Sequence, residues 1–220
     1  MIFAFPVVTL TIAVLASWLG DIPMDVITRD PLATAGVHPL TGLQSIIGVA
    51  IMWLAASVCF FTYGVLRVTG RGSSMATFVL WSGLLTALMA IDDQLQFHDD
   101  LIGQYVDIRE RYLMIGAVAL VLAYLSIFRR QILRTEWMLL VIAALLLAAS
   151  IGLDYFTSQA YMAAGEWTDS TNLPLFLEDG AKLLGITAWA AYFIRVSYRV
   201  LTDGLLASPD QGGPPASRAG

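Results

Sequence analysis

The sequence predicts an all-α polytopic membrane protein, a bundle of about six transmembrane helices with both termini in the cytoplasm. Of its 220 residues, 58% are hydrophobic and only 13% are charged, and the mean hydropathy is +0.73. A soluble fold this apolar would expose large adhesive patches, so long uncharged runs indicate lipid as the solvent. The net charge of -5 argues against a nucleic-acid partner, which needs a clustered basic face.

Six apolar runs are long enough to cross a bilayer. They cover about residues 2–19, 43–65, 75–97, 112–128, 137–156 and 175–196. The first run could be a signal peptide, but no Lys or Arg precedes it and its apolar core is long, so we expect a retained helix. Residues 1–203 then form one membrane domain. Residues 204–220 are rich in Pro, Gly, Ser and Ala and are expected to be a disordered cytoplasmic tail.

The arginines orient the predicted helices. They flank the second-to-third connection, the fourth-to-fifth connection and the end of the sixth span: Arg67, Arg71, Arg129, Arg130, Arg134, Arg195 and Arg199. The other connections are acidic or mixed in charge. Because basic loops stay in the cytoplasm, we expect an inner (plasma) membrane protein with its acidic loops outside. The lipid bilayer is then its main partner, and a homo-oligomer or a membrane partner protein is a further expectation.

Residues 91–100 place a high density of polar groups at the outer end of the third predicted span. Advancing about 100° per residue along a helix, one face collects four carboxylates and an amide: Asp92, Asp93, Gln96, Asp99 and Asp100. Ser82 and Thr86 continue this face into the membrane, whereas His98 lies on the opposite side. The pattern predicts a polar stripe that runs from the middle of the membrane outward.

The sixth predicted span carries a matching pair. Glu178 and Lys182 are four residues apart and share a helix face, and Lys182 is the only lysine in the chain. A charge inside the membrane is costly unless it is paired or faces water, and Glu178 is the nearest partner along the helix. Asp154, near the outer end of the fifth span, would lie at the same depth. Crowded carboxylates need a metal ion, a shared proton or the lysine to offset their repulsion.

We therefore expect a carboxylate-lined cavity at the outer face. One hypothesis is a cation-dependent intramembrane hydrolase that acts on a lipid or an amide, with Asp93, Glu178 and Lys182 as catalytic residues. Its cofactor would be a divalent metal ion, because carboxylate oxygens suit such cations. His98 and Asp99 are the weaker candidate ligands. The stronger candidates are the membrane carboxylates Asp92, Asp93, Asp154 and Glu178.

Two other functions remain open. Intramembrane carboxylates beside one lysine are also typical of a proton- or cation-coupled carrier or channel. An accessory subunit would use the same polar patch to bind a partner, and a structural ion pair would explain Glu178 and Lys182 equally well. The single Cys59 rules out an internal disulfide and a cysteine-rich metal site.

Overall fold

The computed structural model describes residues 4–28, 31–38, 40–70, 73–95, 110–164 and 169–206. Within these ranges every regular element is a helix, as the sequence predicts. The chain divides into two compact units, Met1–Leu43 and Gln44–Gly220.

The smaller unit contains three helices: α1 (Ala4–Gly20), α2 (Met24–Thr28) and α3 (Pro31–Ala35). Most of the described side chains of α1 are large, apolar and exposed, as in a helix that faces lipid. The chain leaves α1 at Asp21, which adopts a left-handed φ of 51°, a conformation that Asp tolerates better than most residues.

The larger unit contains six helices among its described residues. They are α4 (Leu43–Val68), α5 (Ser73–Leu95), α6 (Glu110–Ile127), α7 (Arg129–Ile132), α8 (Trp137–Ala164) and α9 (Asp169–Leu206). Within α4, α5 and α8, the segments Leu43–Val68, Ser74–Leu95 and Trp137–Thr157 are long and apolar enough to cross a membrane. Shorter apolar helices cover Pro6–Gly20 and Ile115–Ile127. The chain therefore has the helices of a membrane-associated protein.

The last two helices extend beyond their predicted bounds. The sequence predicts a long loop from about residue 157 to Pro174, but α8 continues to Ala164 and α9 already begins at Asp169. Pro174 lies close to the start of α9, where its missing N–H costs only one intrahelical hydrogen bond. At the other end α9 continues to Leu206, three residues into the predicted tail. The rest of that tail, residues 207–220, lies outside the described residues.

A cluster of buried aromatic rings joins α5, α6 and α9. Phe78 of α5 is fully buried, and its ring centroid lies 6.2 Å from that of Tyr124 on α6 and 6.4 Å from that of Phe193 on α9. Trp189 meets Phe193 edge-on at 5.1 Å. Each such pair contributes about 0.5–1.5 kcal/mol beyond the area that it buries. The aromatic cluster therefore ties α5, α6 and α9 together.

Two glycines let helix backbones approach closely. A Cβ added to Gly83 of α5 would lie 3.1 Å from the Cβ of Cys59 on α4. A Cβ added to Gly185 of α9 would lie 2.8 Å from Leu147 Cγ and 3.1 Å from the Leu147 backbone nitrogen on α8. Small residues at such crossings are the usual device for packing helices in lipid.

The Gly185 crossing gives a direct test of α8–α9 packing. Gly185→Ala should lower the melting temperature of the detergent-purified protein, because the added methyl group overlaps Leu147 and overpacking costs about 1–3 kcal/mol. The matched control is Gly152→Ala on α8, where an added Cβ meets nothing within 4 Å. That control should melt at or above the wild-type temperature, since Ala favours a helix by about 1 kcal/mol over Gly. Equal melting temperatures for the two variants would contradict the close approach.

Candidate functional site

An ion pair joins α5 to α9. The Lys182 ammonium of α9 donates a hydrogen bond to Oδ1 of Asp93 on α5. The Asp93 side chain is 14% exposed and the Lys182 side chain 39% exposed. The carboxylate is therefore mostly enclosed, while part of the lysine side chain remains accessible.

The register of two antiparallel helices explains this pairing. Two turns deeper in the bundle, Trp189 Nε1 of α9 donates to Thr86 Oγ1 of α5 at 3.0 Å. Seven residues forward from Thr86 is Asp93, and seven residues back from Trp189 is Lys182. Because seven residues make about two helical turns, both contacts lie along the same line between α5 and α9. The inner contact therefore sets the level at which the two charged side chains meet.

The predicted stripe of hydroxyl groups on α5 faces the interior of the bundle. Ser82 and Thr86 are both fully buried. The Ser82 hydroxyl lies 2.5 Å from the Tyr124 hydroxyl of α6, and Thr86 accepts the Trp189 hydrogen bond. Helical phase places Ser82 and Thr86 on the same face of α5 as Asp93, and the structure shows that both of these side chains are buried.

A second carboxylate lies beside the pair. Glu178 is one turn before Lys182 on α9. Thr157 of α8 lies within hydrogen-bonding reach of its carboxyl group, and Asp154 of α8 repels it. The buried Thr157 hydroxyl donates to the Leu153 carbonyl at 2.9 Å.

Three buried oxygens at this end of the bundle lack a hydrogen-bond donor within the described part of the chain. They are Asp93 Oδ2, Glu178 Oε2 and Gln44 Oε1 at the start of α4. A Cβ added to Gly48 of α4 would lie 3.2 Å from Ile186 of α9, and Gln44 and Lys182 each lie one turn before that contact. An ionised carboxylate oxygen can only accept hydrogen bonds, and the same is true of the amide oxygen of Gln44. Their environment therefore favours a proton, a cation or water beside the ion pair.

The partner of Lys182 differs from the one that sequence spacing favours. Spacing along α9 favours Glu178, but the ion pair forms with Asp93 across the helix interface. Glu178 attracts the lysine from one turn away and is also repelled by Asp154. The register between α5 and α9 brings the Asp93 carboxylate within ion-pair distance of the Lys182 ammonium group.

The remaining predicted site residues are placed as follows. Asp92 is partly buried beside Asp93, and Asp154 is exposed on α8. His98 and Asp99 lie outside the described residues. Among the residues that are described, no three side chains of the His, Cys, Asp or Glu type are grouped so that they could hold a metal ion. The metal site therefore stays a prediction.

A second charged cluster lies at the other end of α9. Arg195 Nε lies 2.5 Å from Glu136 Oε2, and Arg199 also pairs with this carboxylate. Sequence reasoning used these arginines only for topology and did not single out Glu136. The available signal was the spacing of Arg195 and Arg199, which places both guanidinium groups on one face of the helix.

The chain is similar to known proteins at the level of a family model. No curated protein and no solved structure matches the chain. Residues 2–196, more than half of the chain, match the model of a domain of unknown function (DUF8692). The matched range contains the Asp93–Lys182 pair, Glu178 and the Glu136 cluster. The chain therefore belongs to the DUF8692 family.

Proposed function

We propose that this protein is a six-span inner-membrane carrier or channel coupled to protons or cations, in which Asp93 takes up the coupling ion. The observation that carries the proposal is the Asp93–Lys182 ion pair between α5 and α9, with Glu178 one turn away. Ionisable side chains inside a membrane bundle mark ion pathways and proton relays more often than structural contacts.

The charges of the site suit reversible ion uptake. Lys182 can balance only one of the two nearby carboxylates, so the second requires a proton or another cation. A proton or cation on Asp93 would release Lys182 to the Glu178 carboxylate one turn away. Uptake and release would then shift the partner of Lys182 between two carboxylates. Such a change alters the contacts between α5, α8 and α9, which is what coupling requires.

A cation-dependent hydrolase of a lipid or an amide is the second candidate. A hard cation binds oxygen ligands. Such ligands are present as the side-chain oxygens of Asp93, Glu178 and Gln44 that lack a hydrogen-bond donor within the described residues. Stoichiometric metal in the purified protein, lost in Asp93→Asn, would favour this alternative. An accessory subunit would show neither ion flux nor metal and would purify together with a partner protein.

The proposed topology places the Asp93 end outside and the arginine-rich end in the cytoplasm, with residues 204–220 as a cytoplasmic tail. Two exposed threonines flank α4 and make a matched pair. In a Cys59→Ala background, Thr41→Cys should react with a membrane-impermeant maleimide on intact cells. Thr69→Cys should react only after the membrane is permeabilised. The opposite pattern would invert the orientation, and equal labelling of both would rule out α4 as a span.

Ion coupling is tested with the protein reconstituted into liposomes that contain a pH-sensitive dye. The wild-type protein should show ion-driven proton movement, and Asp93→Asn should reduce it to the level of protein-free liposomes, because an amide carries no exchangeable charge. Asp203→Asn is the matched control, since Asp203 is an exposed carboxylate at the far end of α9. Wild-type flux from Asp93→Asn would remove Asp93 from the pathway.

A double-mutant cycle separates the structural contribution of the pair from its function. Asp93→Asn and Lys182→Met should each lower stability, because each leaves a partly buried charge without its partner. The loss for a fully buried pair is about 3–5 kcal/mol, and the exposed part of Lys182 reduces it here. The double variant should recover much of the melting temperature, yet still show no ion flux. Recovery of both properties would mean that the pair is only structural.

A further inference from the structure

We propose that the connection between α6 and α8 binds the headgroup of an anionic phospholipid. This connection includes α7 and adjoins the Glu136 cluster. It lies near Arg195 and Arg199, at least thirteen residues along α9 from Lys182, which corresponds to about 20 Å. The inference concerns a surface remote from the Asp93–Lys182 pair and does not depend on the proposed function.

The connection is held rigidly against the bundle. Phe128 and Ile132 are each only 8% exposed and belong to the aromatic core. The backbone N–H of Ile132 donates to the Phe128 carbonyl at 3.0 Å. Thr135 shares a 2.7 Å hydrogen bond with the Tyr192 hydroxyl of α9, and Glu136 is held by the two arginines of α9. A segment fixed at four points presents its other side chains outward without a large loss of entropy on binding.

The outward side chains carry uncancelled positive charge. Arg129, Arg130 and Arg134 are all exposed. The acidic residue of this connection is Glu136, whose carboxylate already pairs with Arg195 and Arg199. The three exposed guanidinium groups are therefore free of competition from Glu136. Guanidinium groups bind phosphate oxygens through paired, charge-assisted hydrogen bonds.

Apolar side chains beside the arginines favour a lipid over a soluble phosphate. Ile127 is 71% exposed, Leu133 65% and Trp137 44%. Ile127 ends α6 and Trp137 begins α8, and most of the exposed side chains described on these two helices are apolar. Large apolar groups next to arginines are the composition of a surface that meets both the acyl region and the headgroups of a membrane. The ligand class is accordingly a phospholipid with net negative charge.

The test measures lipid binding by the full-length protein in detergent. Native mass spectrometry counts the lipids retained when delipidated protein is titrated with phosphatidylglycerol, phosphatidylcholine or inorganic phosphate. The wild-type protein should prefer phosphatidylglycerol. The variant R129Q/R130Q/R134Q should lose most of that preference, since each basic residue near an anionic surface contributes a factor of about five in affinity. The variant R129K/R130K/R134K keeps the charge and should retain most of the binding.

Three outcomes would overturn the proposal. One is equal binding of phosphatidylglycerol by the wild-type and glutamine variants, provided that both melt at the same temperature. The second is equal retention of phosphatidylglycerol and phosphatidylcholine by the wild-type protein. The third is full competition by inorganic phosphate, which would identify a soluble anion as the ligand. If the glutamine variant fails to fold, two single variants are compared instead. R130Q removes an exposed arginine of the proposed site and should weaken binding. R67Q removes an exposed arginine outside that site and should not.

Discussion

A charged group between packed, largely apolar helices needs a partner of opposite charge, and the Asp93–Lys182 pair supplies it where α5 and α9 meet. Lys182 reaches Asp93 only if the two antiparallel helices keep the register that Trp189 and Thr86 set two turns deeper. Sliding α9 by one residue would turn the lysine away from the carboxylate and leave the mostly enclosed Asp93 without its partner. The aromatic cluster around Phe78 then fills the space that this register leaves.

The helices were largely predictable because apolar length is a property of the local sequence. The three segments that could cross a membrane agree with predicted spans to within a few residues. The boundaries were less predictable. Pro174 appeared to end a loop, yet α9 passes through it from Asp169, because one lost hydrogen bond is small beside the bonds that the rest of the helix makes. Such a comparison needs the packing around the proline, which no local pattern contains.

The candidate site, too, was predictable only in part. Helical phase on α5 correctly grouped Asp93 with Ser82 and Thr86, because residues on one helix have a fixed angular relation. Phase cannot give the register between helices, so it favoured Glu178 over Asp93 as the partner of Lys182. Thr157 was not predicted for the same reason. A single threonine in an apolar run can be assigned to a site only when a neighbouring helix is known to place a carboxylate beside it.

The lone lysine has a chemical consequence. Lys182 carries the only side-chain amine in the chain, and a third of its side chain or more is accessible. Reductive methylation with a ¹³C reagent would therefore add a single side-chain NMR signal, distinct from that of the terminal amine, at the point where two helices meet. Methylation keeps the positive charge, so the signal would follow the environment of the ammonium group without abolishing its attraction to Asp93.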